Sequence, residues 1–263
     1  MDELISMAKK VKADSGGEVA GAAMRGLRTD TNIDTISGLV FNAWGDRPIE
    51  GPYGVWFDGD WNKPRLDDPA IQKGLSDYAG LMEAGPSDIL SYNWNEAGNA
   101  FCNGQAAFFA DASLFGPWFE TADCPISQGN TGYMALPPQN AGGTSYTANW
   151  QWGIGMGANA QEKDAGWYFI QYMTNKSSEP KIGTFHGGAG RLSTWENDEY
   201  TSTLNPDYVS ATLESMKTVR TSVVPVKDFN KYALEVMDVI LDIHSGASSE
   251  DATAEGNNNF KNM

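Results

Sequence analysis

The stretch FCNGQAAFFADASLFGPW, residues 101–118, decides the fold prediction for this chain. Asn103-Gly104 is predicted to end a helix, because glycine readily takes the left-handed conformation that terminates helices. The small and aromatic residues at 105–111 are typical of a buried strand. Asp111 then stands at the carboxyl end of that strand, where α/β proteins bind polar ligands. The alternative is a core strand that ends at a solvated aspartate.

Helices and strands alternate along the rest of the sequence, which predicts an α/β fold. Helices are predicted at 2–13, 32–44, 69–83, 93–103, 162–174, 206–219 and 229–245, with a final helix capped by Ser249. Further strands are predicted at 18–28, 132–136 and 149–158, and a loop at 186–197. The 162–174 helix is expected to bury Ala165, Phe169, Ile170 and Met173.

The composition is that of a globular protein, with 41% hydrophobic and 20% charged residues among 263. The formal net charge of -16 argues against nucleic acids and anionic membranes as partners, since phosphate attraction would have the wrong sign. No apolar run approaches the roughly 20 residues of a membrane span. A helix that begins at residue 2, with no strand before it, predicts that further sequence precedes this chain.

The two cysteines, Cys102 and Cys124, leave two alternatives. They form one disulfide, which in an oxidising compartment contributes about 3 kcal/mol, or they are two buried thiols. No histidine or cysteine pair has the spacing of metal ligands, so neither a metal nor a cofactor is predicted.

Five of the nine tryptophans stand where predicted elements end, which is where clefts form. Their flat faces suit the C–H faces of sugars and polyols, although packing in the core is an equally good interpretation of each. These residues are Trp44, Trp118, Trp150, Trp152 and Trp195.

Arg191 follows a glycine-rich loop, and its guanidinium offers a fork of donors for vicinal hydroxyls or for a carboxylate that bridges two loops. Glu96 and Asp111 are a candidate acid and nucleophile for glycoside cleavage. Carboxylates in sugar sites more often accept hydrogen bonds from hydroxyls, so no catalytic residue is assigned.

Several motifs occur in a fixed order along the chain. They are WFDGDW at 56–61, the helix start Asp67-Asp68-Pro69, NEAGNAFCNGQAAFFADAS at 95–113, GYMALPP at 132–138, NWQWGI at 149–154 and GGAGRLSTW at 187–195. In this order the chain resembles the extracellular solute-binding proteins of bacterial ABC sugar importers over essentially its whole length. WFDGDW, FFADAS and NWQW most resemble the branch that binds polyols such as sorbitol or mannitol.

The resemblance implies a two-lobe α/β fold like that of type II periplasmic binding proteins. Residues 1–148 and 204–263 would form the C-terminal lobe, which is largely complete. Residues 149–203 would form part of the N-terminal lobe, with hinge crossings near 145–152 and 200–206.

The resemblance also implies the function. It predicts a non-enzymatic protein, periplasmic or extracellular and with a lipid anchor left open, that binds a small carbohydrate in an interlobe cleft. The partners would be a polyol or monosaccharide and the membrane subunits of an ABC permease. The ligand contacts carry over onto Asp111, Trp150, Trp152 and Arg191. Further candidates for the same cleft are Asn42, Trp44, Trp118, Phe229 and Asn230. A glycoside hydrolase and a lectin-like binding module are the alternatives.

Overall fold

The computed structural model describes residues 1–186 and 188–263, except for the side chains of Phe185 and His186. The chain divides into two compact units. The first unit comprises residues 1–112, 135–150 and 214–263, and the second unit comprises 113–134 and 151–213.

The helices and strands have the following bounds. The helices are α1 (Asp2–Asp14), α2 (Ile33–Trp44), α3 (Pro69–Glu83), α4 (Trp94–Cys102), α5 (Gly116–Phe119), α6 (Lys163–Thr174), α7 (Glu179–His186), α8 (Leu192–Trp195), α9 (Asp198–Thr201), α10 (Pro206–Met216), α11 (Phe229–His244) and α12 (Ser249–Lys261). The strands are β1 (Ala20–Ala23), β2 (Ala106–Phe109), β3 (Thr147–Asn149) and β4 (Val219–Thr221).

In the first unit, β1 and β2 form a parallel pair in which Ala22 lies opposite Phe108. All four residues of β1 are buried. Helix α1 packs closely on this strand, since a Cβ added at Gly21 would lie 1.9 Å from the carbonyl oxygen of Ala8. The alanine and glycine composition of β1 therefore lets a helix backbone approach the sheet.

The helices of the first unit surround one hydrophobic core. Helix α3 begins as predicted, with the Asp68 side chain accepting a hydrogen bond from the Ala70 N–H and with Pro69 in the first turn. Its apolar stripe is buried, including Leu75 and Tyr78. Helix α3 packs against α2 at Gly74, where an added Cβ would lie 2.5 Å from the Val40 Cα.

The predicted strands at 132–136 and 149–158 are wrong. Residues 132–136 carry no regular structure, and β3 ends at Asn149 in a parallel pair with β4. Residues 150–159 are exposed, and among the described residues 153–157 donate no backbone hydrogen bond. Alternating apolar residues form a strand only where a neighbouring strand accepts their bonds, and no described residue fills that place.

The second unit is organised around a cluster of aromatic rings. Trp195 contacts Tyr200 and Tyr208 at ring-centroid distances of 5.5 and 5.9 Å, and Tyr133 contacts Tyr208 at 5.5 Å. Trp195 lies in α8, so the predicted loop at 186–197 contains a short helix. Its side chain is 3% exposed, which favours the packing interpretation for this tryptophan.

The two units do not coincide with the predicted lobes at residues 113–134, 149–150 and 204–213, and the assignment of the lobes stays a prediction. Residues 113–134 and 204–213 belong to the second unit, whereas the resemblance places both in the C-terminal lobe. The Tyr133–Tyr208 contact holds these segments together, as does the bond from Asn205 Nδ2 to Glu120 Oε1 at 2.8 Å.

Helix α6 forms where it is predicted, but the expectation that it buries an apolar face is wrong. None of its residues is buried, and Trp167, Tyr168, Phe169 and Tyr172 are all more than half exposed. An apolar stripe is buried only where another element faces it, and the described residues provide none here. The final helix is capped by Ser248 instead of Ser249, because the Ser248 side chain accepts the bond from the Asp251 N–H.

Both cysteines are disulfide-bonded, so the alternative of two buried thiols is wrong. None of the described helices has the length and apolar composition needed to span a membrane.

Local stability is expected to differ sharply along the chain. Amide hydrogens of residues 153–157 should exchange with solvent at nearly the rate of an unfolded peptide, because they lack backbone acceptors among the described residues. Amides of Ile71, Leu75 and Met82 in α3 should exchange orders of magnitude more slowly. Hydrogen-exchange mass spectrometry measures both, and strong protection of 153–157 would contradict this account.

Close packing at Gly74 is expected to make that position intolerant of substitution. Gly74→Ala should lower the free energy of unfolding by about 1–3 kcal/mol or more, because the methyl group would overlap Val40. Gly80→Ala is the control in the same helix, since its Cβ would meet only the Ile5 side chain at 3.3 Å. Urea unfolding followed by circular dichroism should show Gly80→Ala close to the original chain, and equal loss in both variants would refute the packing argument.

Candidate functional site

A buried ion pair lies where β1 and β2 end. Arg25 follows β1 and Asp111 follows β2, and the parallel strands bring both residues to the same carboxyl edge. Arg25 Nε donates to Asp111 Oδ2 at 2.8 Å, and Arg25 Nη2 donates to Asp111 Oδ1 at 3.0 Å. The carboxyl edge of a parallel sheet is where α/β proteins place their ligands, so this pair marks the candidate site.

The same guanidinium also holds the loop between β1 and α2. Its Nη1 donates to the Thr31 carbonyl at 2.9 Å, and its Nη2 donates to Asp34 Oδ1 at 2.5 Å and to Thr35 Oγ1 at 2.6 Å. Its Cζ lies 4.7 Å from the ring centroid of Trp94, the first residue of α4. One side chain thus connects three segments of the strand edge. We call Arg25, Asp34, Thr35, Trp94 and Asp111 the Arg25 cluster.

Charges in the Arg25 cluster are deeply buried. The Arg25 side chain is 0% exposed and that of Asp111 is 1% exposed, while Asp34 retains 12%. Burial raises the pKa of Asp111, and the neighbouring Arg25 opposes that rise. Burial acts to lower the pKa of Arg25, but Asp111 and Asp34 outweigh it, so the pKa of Arg25 lies above its ordinary value. Arg25 is therefore a permanent cation shared by two carboxylates.

The starts of two helices contribute to this edge. Asp34 lies in the first turn of α2, where the helix dipole favours a negative charge. At the start of α4, Glu96 Oε2 accepts a hydrogen bond from the Asn93 N–H at 3.0 Å, as in a capping box. Glu96 therefore has a structural role, which argues against the alternative in which it serves as the acid of a glycoside hydrolase.

Asp111 lies at the predicted place, but its carboxylate is occupied. Besides the two bonds from Arg25, Oδ1 accepts a bond from Thr35 Oγ1 at 3.0 Å and one from the Ala112 N–H at 2.8 Å. A ligand hydroxyl would have to compete with these donors. The contribution of Asp111 is therefore to position its neighbours, and its direct contact with a ligand stays a prediction.

Asn42 and Trp44 line one cavity of about 280 Å³ in the first unit. The cavity is otherwise lined by Ala43, Gly45, Asp46, Pro138, Gln139, Asn140, Gly143 and Thr144. Asn42 Nδ2 donates to the carbonyls of Gly38 at 2.8 Å and Tyr146 at 2.5 Å, and Asn42 Oδ1 accepts from the Tyr146 N–H at 3.0 Å. The Asn42 amide thus ties α2 to the segment that leads into β3.

The ring of Trp44 is covered by cations of the chain itself. The guanidinium carbons of Arg47 and Arg65 lie 3.7 and 4.7 Å from its centroid, and its Nε1 donates to the Arg47 carbonyl at 3.0 Å. Trp44 is 3% exposed. For this tryptophan the structure favours packing over stacking on a ligand.

The other predicted contacts of the first unit lie apart from that cavity. Phe229 is buried in the main core at the start of α11, next to the exposed Asn230. Asp228, directly before them, has a φ of 56°. Trp150, the last residue of its segment, is 46% exposed.

Three predicted contacts belong to the second unit. The Trp118 ring is tilted against those of Phe115 and Phe119, at 5.9 and 5.5 Å. Arg191 is exposed and donates through Nε to the Thr174 carbonyl at 2.8 Å. Trp152 is 83% exposed and presents a large aromatic surface.

Sequence reasoning missed Arg25, Asp34, Thr35 and Trp94. A signal for Arg25 was available, because it follows β1 by the same two residues by which Asp111 follows β2. Among the described residues, no three or more histidine, cysteine, aspartate or glutamate side chains are arranged to hold a metal ion.

Comparisons with known proteins agree with this architecture. The model of the family described as "Bacterial extracellular solute-binding protein" matches residues 1–180. A search of curated protein sequences found no match.

Three solved structures share the fold. An ABC transporter solute-binding protein from Agrobacterium radiobacter K84, in complex with ribitol, is 20% identical with a TM-score of 0.79, over 99% of this chain and 63% of that one. One from Agrobacterium vitis S4 with bound D-mannitol is 21% identical with a TM-score of 0.75, over 99% and 64%. Maltose-bound T. maritima MalE3 is 19% identical with a TM-score of 0.79, over 99% and 64%. The predicted fold class is confirmed, and the chain spans under two thirds of the length of these structures.

The Arg25 cluster is expected to be essential to the stability of the first unit. Arg25→Ala should lower the free energy of unfolding by about 3–5 kcal/mol, because it leaves two carboxylates without their buried cation. Arg28→Ala is the matched control from the same loop. It removes a pair with Asp238 that is 50% and 33% exposed, so the loss should stay within about 1 kcal/mol. Denaturant titration measures the free energy of unfolding of both variants. Similar losses in Arg25→Ala and Arg28→Ala would contradict the importance of the Arg25 cluster.

Proposed function

Because the chain belongs to the family of bacterial extracellular solute-binding proteins, we propose that its protein binds a small neutral carbohydrate, a polyol or a monosaccharide. Import through the membrane subunits of an ABC permease follows from this proposal, as does a periplasmic or extracellular location. The proposal of a carbohydrate ligand is supported by the fold, which this chain shares with proteins whose structures contain ribitol, D-mannitol and maltose.

The side chains at the strand edge suit a hydroxyl-rich solute. Asp34 and Thr35 offer oxygen atoms beside the half-buried ring of Trp94. Aromatic rings pack on the C–H faces of sugars, and carboxylates accept hydrogen bonds from hydroxyls. Trp150 in the first unit, and Trp152 and Arg191 in the second unit, stay predicted contacts. Both tryptophans present exposed aromatic surface, and Arg191 is an exposed donor.

The same groups support binding without chemical conversion. Asp111 is held by four hydrogen bonds and is 1% exposed, and Glu96 caps α4. Glycoside hydrolysis needs two carboxyl groups that are free to exchange protons and reach the scissile bond. Neither group of the proposed pair has that freedom, so the binding role is favoured over the hydrolase alternative.

We expect the purified protein to bind at least one free polyol or monosaccharide and to release it unchanged. Ribitol, D-mannitol, tagatose and maltose are the first solutes to titrate, because structures that share this fold contain them. Binding should raise the unfolding temperature in proportion to ln(1 + [L]/Kd). Mass spectrometry of the recovered solute should show no product.

Tryptophan variants test the site within the same titration. Trp152→Ala should weaken binding by about tenfold, since stacking contacts of this kind contribute on the order of 1 kcal/mol or more. Trp61→Ala is the control, because Trp61 is also exposed, at 50%, but lies in a loop of the first unit outside the predicted contacts. Turnover of a glycoside would sink the proposal, and so would binding of polysaccharide in preference to any free sugar.

A further inference from the structure

The Arg25 cluster contains more negative than positive charge. Its groups are one guanidinium and two carboxylates, those of Asp34 and Asp111, which gives a formal surplus of one negative charge. Asp34 is the most exposed of the three charged side chains, at 12%, so a solute at this edge would meet the surplus negative charge at Asp34.

Arginine at a ligand-binding edge ordinarily indicates an anionic ligand, because its fork of donors suits carboxylates and phosphates. Here that interpretation fails. Arg25 is 0% exposed, and its Nε, Nη1 and Nη2 all donate to acceptors of the chain itself. No solute can reach the cation without displacing Asp111 or Asp34.

The free hydrogen-bonding capacity of the cluster is that of an acceptor. The bonds to Asp34 converge on Oδ1, which accepts from Arg25 Nη2 and, at 2.7 Å, from the Thr35 N–H. Asp34 Oδ2 accepts none of the hydrogen bonds found among the described residues. A carboxylate oxygen without a donor from the chain binds a hydroxyl or an ammonium group and repels another anion.

We infer that this strand edge selects its solute by charge, accepting neutral or amino sugars and rejecting sugar acids and sugar phosphates with the same carbon skeleton. The inference rests on the proposed function and narrows its substrate class. A unit negative charge on the solute within about 6 Å of Asp34 should weaken binding by about tenfold to a hundredfold at the effective dielectric constant of a protein surface.

The experiment compares solutes that share a carbon skeleton and differ in the charge of one substituent. D-mannitol is titrated against mannitol 1-phosphate, and D-glucose against D-glucosamine, D-glucuronate and glucose 6-phosphate, by isothermal calorimetry. The buffer contains 0.5 M NaCl, because the long-range repulsion from the net charge of -16 is then screened, whereas a contact repulsion persists. Each anionic solute should bind at least tenfold more weakly than its neutral counterpart.

The variant Asp34→Asn assigns the discrimination to this residue. It removes the surplus charge but keeps an oxygen for Arg25 and Thr35, and it should raise the affinity for the anionic solutes relative to the neutral ones by tenfold or more. Asp14→Asn is the control, since it makes the same change in net charge at a surface site that is 64% exposed.

The outcomes separate the two proposals. Equal affinity for D-mannitol and mannitol 1-phosphate would overturn the charge inference and leave the binding function standing. Identical profiles for Asp34→Asn and Asp14→Asn would also overturn it. Failure to bind any neutral sugar or polyol would refute the proposed function itself, and preference for a sugar phosphate would refute the inference directly.

Discussion

The first unit depends on one buried interaction, the ion pair between Arg25 and Asp111. Two charges inside a protein lose hydration free energy that their attraction recovers only when every remaining donor and acceptor is satisfied. Here Thr31, Asp34 and Thr35 meet that requirement by accepting the other guanidinium bonds. These bonds connect the ends of two strands with the loop that leads into α2, so the three segments cannot move independently.

This constraint explains why the sequence predicted the position of Asp111 but not its ion pair with Arg25. A buried strand with a carboxylate at its end is a local pattern, and the structure has that strand at Ala106–Phe109. The partner Arg25 lies 86 positions away in sequence, and only the parallel pairing of β1 with β2 brings it into contact. Long-range pairing of this kind leaves no periodic trace in the sequence. Asp111 thus organises the residues around it, a role that the sequence did not predict, and its contact with a ligand stays a prediction.

Helices with explicit end signals were predictable for the opposite reason. Helix α3 begins at Pro69, directly after the capping Asp68. Helix α2 ends directly before Gly45, which has a φ of 64°. Both signals lie in the local sequence. In the second unit, the local sequence does not show which surface each segment packs against. Helix α6 and residues 151–159 of that unit have the apolar periodicity of a helix and a strand, yet this periodicity leads to burial only where another surface faces it. A helix such as α6 is thus specified by its own segment, whereas burial and the formation of a strand depend on the rest of the fold.

The tryptophans show the same distinction within a candidate site. Trp44 and Trp152 look alike in sequence, each beside a glycine at the end of a predicted element. Trp44 is enclosed by Arg47 and Arg65, whereas Trp152 is 83% exposed. Aromatic surface of this kind accommodates almost any sugar, because every pyranose and polyol has C–H faces. Discrimination among solutes must therefore come from polar groups whose positions are fixed, and at this strand edge the group with a free oxygen and an uncompensated charge is Asp34. The buried Arg25 cation holds Asp34 through Oδ1 alone, so the bond that stabilises the cluster leaves Oδ2 as the atom on which the proposed recognition depends.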